Sequence, residues 1–388
     1  MKTIAVLFGS RSAEHDVSIV TAIASIIKPL ELAQKYRVEA VYITKEGVWL
    51  WDDRLKDISL FTSGKIDQFI ARCKPASVTF NGGLTLNRVG RLGRVESRKV
   101  DVAFPATHGT YGEDGALMGL LDMAGVPYVG CGLVASVLAM DKALAKILAQ
   151  AHGVPVTKFQ FFPRSVVQND ISAAVKACTS KLTFPMFIKP AHLGSSIGIS
   201  RATNETELRN GLEVAAHYDD KVLVEEAVQN LIEVTLPIIG NDELTPAYLE
   251  QPLVKAEDFF DFETKYMGGG KKAGAKAGGQ KGAQGYSKIP AELPKELYKK
   301  AEEVGLSVYR ALDCSGIARV DMLIDSKTKQ VYFNEVNPLP GSLYAHNWRA
   351  KGISNVELVT RLVDLAEGRH QKRQSLSTIF STNFLKQF

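Results

Sequence analysis

No stretch of this 388-residue chain approaches the ~20 consecutive apolar residues of a membrane-spanning helix, so no membrane footprint is expected. Cysteine is scarce too. Cys73, Cys131, Cys178 and Cys314 lie far apart without Cys-x-x-Cys spacing, which indicates neither a zinc knuckle nor a disulfide framework. The pattern Gly-x-x-x-x-Gly-Lys-[Ser/Thr] is missing, and with it a P-loop. The opening residues carry too short an apolar run for a secretory leader, so a cytoplasmic protein is expected. Charge of one sign is also nearly absent. The formal charge is +5, and Met267–Lys288 supplies five lysines and no acid, leaving the rest near neutral. That balance gives no general nucleic-acid surface.

What remains is 45% hydrophobic and 23% charged, an ordinary soluble composition. At roughly 100–200 residues per domain, two or three domains are expected. Thr3–Phe8 reads as a buried strand, Val17 to about Leu32 as a helix and Arg37–Ile43 as a strand, a βαβ unit that implies a parallel sheet. Glu14-His15-Asp16 opens the helix, either as acids favouring the dipole or as a carboxylate aimed over the strand ends. Val48–Val95 is weakly patterned, apart from the hairpin-type turn Asn81-Gly82-Gly83. A strand at Val100–Pro105 leads through a loop containing His108 and three glycines into the helix Ala116–Ala124. That loop is either a tight turn or an anion site at a helix start. Gly130-Cys131-Gly132 marks a domain boundary.

A helix Asp141–Ala151 follows, then a strand at Phe184–Pro190 that contains Lys189. The glycine- and serine-rich loop after it, with Gly194, Ser195, Ser196 and Gly198, can cradle phosphates on its backbone N–H groups or be a flexible turn. Val222–Glu226 is an apolar strand whose Glu225 and Glu226 meet a nucleotide edge or simply solvent. Lysines and glycines after Tyr266 read as a long lid or linker. Pro294–Leu312 and Asn355–Glu367 read as helices, and Gln371–Phe388 as a polar tail, disordered or used for interaction.

The most informative stretch is Ala318–Gly341. Two apolar arms joined by a polar turn at Ser326–Lys329 read as a hairpin. Arg319 and Asp321 share a face of the first arm, Glu335 and Asn337 a face of the second, and Asn334 and Val336 the opposite side. Paired, the arms gather two carboxylates, a carboxamide and a guanidinium. Hard oxygen donors at this density suit Mg²⁺ that also meets phosphate oxygens.

Six segments in this order resemble the D-alanine–D-alanine ligases of the ATP-grasp superfamily. They are Gly9–Ser18, His108–Gly115, Met140-Asp141-Lys142, Lys189–Gly198, Phe260–Tyr266, and Arg319–Asp321 with Asn334–Gly341. The resemblance implies an α/β chain with α+β character in its C-terminal part, a three-domain ATP-grasp fold headed by a parallel-sheet domain. The expected units are 1–130, 131–225 and 226–370, with a tail 371–388. It implies ATP and D-alanine as ligands, two Mg²⁺ or Mn²⁺ ions, and a homodimer. Lys142 and Lys189 would meet the nucleotide phosphates beside Ser196, with Glu225, Glu226 and Glu233 at adenine and ribose and Lys265 in the closing loop. Asp321, Glu335 and Asn337 would hold the metals. Glu14 would meet the first ammonium in a set with Ser195 and Tyr266, close to His108, while Arg319 and the Gly341 N–H would hold the oxyanion.

Some positions depart from the family pattern. A small hydroxyl residue is usual nine positions after the metal-binding Asn, and here that position is His346. The segment Asn230–Asn241 lacks the usual glycine–arginine start, and the lysine-rich stretch after Tyr266 lengthens the lid. The expectation is therefore ATP-dependent joining of two D-alanines through an acyl phosphate. The alternatives are joining D-alanine to another amino or hydroxy acid, and a catalytically silent ATP-binding protein. The basic loop could also dock an acidic partner or nucleic acid.

Overall fold

The run Thr-Ile-Ala-Val-Leu-Phe is apolar on both faces because its strand, Lys2–Gly9, is the interior strand of a sheet. It pairs in parallel with Tyr36–Ile43 on one side and Val102–Pro105 on the other, as the βαβ pattern predicts. Trp49–Trp51 closes the edge antiparallel to Tyr36–Ile43. The connecting helix is His15–Val20, then a π-helical stretch Thr21–Ile27, then Lys28–Leu32. The computed structural model describes residues 1–90, 93–253, 280–282, 285–377 and 382–388.

The weakly patterned region after Val48 holds a small antiparallel sheet of Ser77–Phe80, Leu84–Val89 and Val95–Val100, turning at Asn81–Gly83. Its outer strands are largely exposed, so little hydrophobic alternation was there to be read. A second sheet runs Ser200–Ala202, Met186–Pro190, Lys221–Glu226, Phe159–Pro163, antiparallel throughout. Helices Ile171–Thr179 and Glu205–Tyr218 pack their apolar stripes on it. A third sheet runs Leu244–Pro246, Leu231–Gly240, Gly316–Asp325, Gln330–Asn337, also antiparallel. Helix Lys295–Ala311 packs against this sheet.

The closing helix spans Asn355–Gln374, so it runs past Glu367 into the expected tail. Its apolar positions Leu358, Leu362 and Val363 share one core with Ile4, Val6 and Phe8 of the first sheet. The extra turns lack such a stripe and are held by charge. Arg369 donates to the Tyr128 carbonyl at 2.8 Å, Lys372 pairs with Asp242 at 2.9 Å, and Arg373 pairs with Asp122. Partners so remote in sequence leave no local signal, and the helix end was therefore misplaced. Among the described residues no helix is long and apolar enough to cross a membrane.

Candidate active site

Register decides the hairpin face. Arg319 lies opposite Asn337 and Asp321 opposite Glu335, so the four side chains gather as alternation predicts. Arg319 grips Asp321 with both arms, Nε to Oδ1 at 2.7 Å and Nη2 to Oδ2 at 2.5 Å. Its guanidinium also sits 5.1 Å over the Tyr344 ring. One residue departs from the reading. The register shifts after Asp321, pairing Met322 with Phe333 and leaving Asn334 as the extra residue of a β-bulge. The bulge turns Asn334 away from the reverse side, and its Oδ1 lies 3.4 Å from Lys189 Nζ.

Lys189 enters from the middle sheet, where its strand neighbours that of Glu225, with which it forms an ion pair. Glu225 is 1% exposed; its second oxygen meets Lys146 at 2.9 Å and the Thr157 hydroxyl at 2.8 Å. Burial would raise this carboxyl, yet the two lysines hold it well below the usual carboxylate range. The lysines answer differently. Burial outweighs Glu225 at Lys146 and lowers it, whereas at Lys189 burial is overcome by Glu225 with help from Glu335 and Glu233. Lys142 donates to the Leu193 carbonyl at 2.7 Å and stands 3.4 Å from Glu335 Oε2. Lys146 was missed in the sequence. Its spacing four residues after Lys142 on one helix was the available signal, since such pairs share a face.

The loop beyond Lys189 is tied down by charge. His192 lies 2.9 Å from Asp219 through Nδ1 and 3.3 Å from Asp141 through Nε2, and Asp141 also pairs with Lys221. Asp141 caps the helix that carries Lys142. Its carboxylate, with that of Asp219, pushes His192 up to about 9. The linkage has a definite sign. A raised folded value gives stabilisation that is complete below the ordinary 6.5 and lost as pH rises through about 9. Wild-type protein is therefore expected to lose melting temperature between those limits while His192→Gln stays flatter there. Parallel melting curves for the two proteins would count against the linkage.

At the opposite end Glu14 accepts a hydrogen bond from Ser195, whose φ of 54° and that of Ser196, 60°, are left-handed. Space is tight here: a Cβ on Gly194 would stand 3.1 Å from Glu14 Oε2, and Gly109, with φ of 69°, would bring one 2.5 Å from Ser12 Oγ. His108 is buried, and burial lowers its pKa, so the ring is neutral. Glu113, which sequence reasoning passed over, is buried nearby and accepts the Gly109 N–H at 2.9 Å. Burial, with Glu14 adding to it, raises its carboxyl well above the usual range. Its place between two glycines of the loop was the only sequence signal.

His346 does not stand free at the cavity. Its Nε2 lies 2.7 Å from Oε2 of Glu250, a buried carboxylate that also accepts from Ser287 at 2.7 Å and Asn347 at 3.2 Å. Glu226 accepts from the Thr183 N–H and hydroxyl at 2.9 and 3.1 Å. One cavity of about 650 Å³ is lined by Glu14, His108, Lys142, Lys189, Ser195 and Ser196, by Glu225, Glu226 and Glu233, and by Arg319, Asp321, Glu335, Asn337, Gly341 and His346. Its size is that of small-molecule sites. The expected Lys265 and Tyr266 lie outside the described residues. The oxygen donors of Asp321, Glu335 and Asn337 on one face fit a hard divalent cation.

Two family models match the chain: "D-ala D-ala ligase N-terminus" over residues 3–131 and "D-ala D-ala ligase C-terminus" over 148–364. The D-alanine–D-alanine ligase of Acetivibrio thermocellus is 36% identical over 389 residues, covering 95% of this chain and 96% of that protein. Among solved structures, the D-alanine–D-alanine ligase of Coxiella burnetii superposes with a TM-score of 0.76 at 26% identity, covering 97% of this chain and 98% of that one. VanG D-Ala:D-Ser ligase of Enterococcus faecalis superposes at 0.75 and 30% identity, covering 94% and 99%.

Proposed function

The chain belongs to the D-alanine–D-alanine ligase family, and on that premise we propose that it joins two D-alanines, with ATP becoming ADP and phosphate, for peptidoglycan synthesis. The observation that carries this is the hairpin face with Arg319, Asp321, Glu335 and Asn337 opposite Lys142 and Lys189.

A carboxylate is a poor electrophile, so the first D-alanine must become an acyl phosphate. Its carboxylate oxygen attacks the γ-phosphorus, and the bond to the ADP oxygen breaks. Lys142 and Lys189 neutralise the charge spread over the phosphoryl oxygens. Asp321, Glu335 and Asn337 would hold Mg²⁺ or Mn²⁺, two ions in our reading, which when bound supply charge neutralisation at the phosphates. Glu14, oriented by Ser195, holds the ammonium of the donor. The amine of the second D-alanine, having lost a proton, then attacks the acyl carbon. Arg319 and the Gly341 N–H face the carbonyl oxygen as it gains charge, phosphate leaves, and a peptide bond remains. Water would hydrolyse the acyl phosphate, so the site must exclude it while that intermediate lasts. Glu226 and Glu233 are assigned to the nucleoside. Glu225, with its carboxylate committed to two lysines, would act there through them.

We divide the chain at about residues 130 and 225 and place the protein in the cytoplasm. A homodimer is supported by exposed apolar side chains on two adjacent helices, Leu120 and Met123 on Ala116–Ala124 and Val134 and Val137 on Leu133–Met140. A second reading, with another amino or hydroxy acid as acceptor, is favoured by His346 and its buried partner Glu250. Incubation with ATP, Mg²⁺ and D-alanine should release phosphate in step with a product of dipeptide mass, and a chelator should stop both. ATP turnover without dipeptide would overturn the reading. Rates with D-serine and D-lactate as competing acceptors decide between the two.

A further inference from the structure

Thr21 is fully buried at the first position of the π-helical stretch Thr21–Ile27, and such widened turns recur at functional sites. Its hydroxyl oxygen meets two groups from distant parts of the chain: the Ser342 N–H at 2.9 Å and His108 Nε2 at 3.0 Å. The protons can be placed by elimination. The Ser342 amide can only donate, so it fills one lone pair of Oγ1. If His108 Nε2 also donated, the Thr21 hydroxyl proton would lack a partner among the described residues, inside a fully buried site. The Thr21 O–H therefore donates to a bare Nε2, and His108 carries its proton on Nδ1, toward the Leu339 backbone.

What Thr21 holds is unusual. Ser342, Leu343 and Tyr344 have φ of 51°, 52° and 52°, three successive left-handed residues, none a glycine. L side chains resist this conformation, so it persists only where its surroundings over-determine it. Leu343 donates to the Pro340 carbonyl at 2.9 Å, and the Arg319 guanidinium covers the Tyr344 ring. From the first helical segment, Thr21 adds a side-chain hydrogen bond to this turn. The Ser342 amide directly follows Gly341, whose N–H faces the acyl oxygen in the reading above, on which this inference rests.

We propose that Thr21 is a positioning residue that locks the strained turn Gly341–Tyr344 to His108, so that the donor-binding loop and the oxyanion-binding turn form one rigid unit. Thr21 touches neither the substrate nor the reacting atoms; it acts through both of those segments.

Thr21→Val keeps the shape and removes the hydroxyl, while Thr21→Ser keeps the hydroxyl. In the full-length enzyme, Thr21→Val should lower kcat for dipeptide formation at least tenfold with the KM for ATP within twofold. Thr21→Ser should stay within threefold of wild type. In wild-type protein, ¹⁵N spectra of the histidine ring should show His108 neutral with Nδ1 protonated and Nε2 bare. A Thr21→Val kcat within twofold of wild type, a serine variant as damaged as the valine one, or a proton on Nε2 would each overturn the proposal. The spectrum decides even if Thr21→Val does not fold. Absence of dipeptide from wild-type enzyme would instead overturn the ligase reading, leaving the spectral arm to judge the hydrogen bonds.

Discussion

Arg319→Ala should lower dipeptide formation by about 10³-fold, the order expected when a principal donor to a developing oxyanion is removed. ATP should still bind, since Lys142 and Lys189 are untouched, although Asp321 loses both of its guanidinium hydrogen bonds. The reasoning is geometric. Arg319 is 8% exposed and held by the two hydrogen bonds it donates to Asp321 and by the Tyr344 ring, so its position is fixed before substrate arrives. A preorganised guanidinium in a water-poor site costs no reorganisation as charge develops. Arg319→Lys should recover little, because one ammonium cannot both replace the forked grip on Asp321 and reach the carbonyl oxygen. The measurement pairs nucleotide binding by calorimetry with dipeptide release in a single turnover. Turnover within tenfold of wild type would remove Arg319 from the chemistry.

Glu225→Gln should be the most destabilising of the conservative changes. It leaves Lys146, 0% exposed, and Lys189, 9% exposed, sharing one neutral amide where a carboxylate stood. Removing one partner of a buried ion pair costs about 3–5 kcal/mol, because the remaining charge is stranded away from water. The variant should lose affinity for ATP as well, since Lys189 would lose the group that keeps it charged and aimed. The pH dependence has a sign. A carboxyl whose folded value is depressed stabilises above its ordinary 4.5 and loses that contribution as pH falls below it. The difference between wild type and Glu225→Gln should therefore be full at neutral pH and shrink in acid. Denaturant titrations at neutral pH and near pH 4 check both parts; equal stability at neutral pH would refute the account.

Much of the site was legible because it rests on short-range periodicity. Alternation placed Arg319 with Asp321 and Glu335 with Asn337, and the observed register sets these pairs opposite each other. The parallel pairing of Lys2–Gly9 with Tyr36–Ile43 followed from strand–helix–strand spacing, and Ala116–Ala124 was read to the residue. Failures share a cause. Asn334 was sent to the wrong side because a bulge is invisible to strict alternation. Helix Asn355–Gln374 was cut short because its last turns are held by Tyr128, Asp122 and Asp242 instead of an apolar stripe. Thr21 and Glu250 carry no pattern of their own, while Lys146 has only its helical spacing from Lys142 and Glu113 only its flanking glycines. Each matters through a partner that the chain brings back from far away.

By itself the sequence determined which polar side chains share a strand face or stand beside a glycine-rich loop. Acids, amide and guanidinium sit at strand spacing, lysines stand beside glycine-rich loops, and neither Cys-x-x-Cys spacing nor the P-loop pattern occurs. Those features are local, set by the two-residue repeat of a strand and the conformational freedom of glycine. Only the tertiary structure decided which charges neutralise one another. It drew Lys146 and Lys189 onto Glu225, His346 onto Glu250, and the Ser342 turn onto Thr21. Buried polar groups must find partners, and the choice among distant candidates is made by how the sheets pack, which no window of sequence contains.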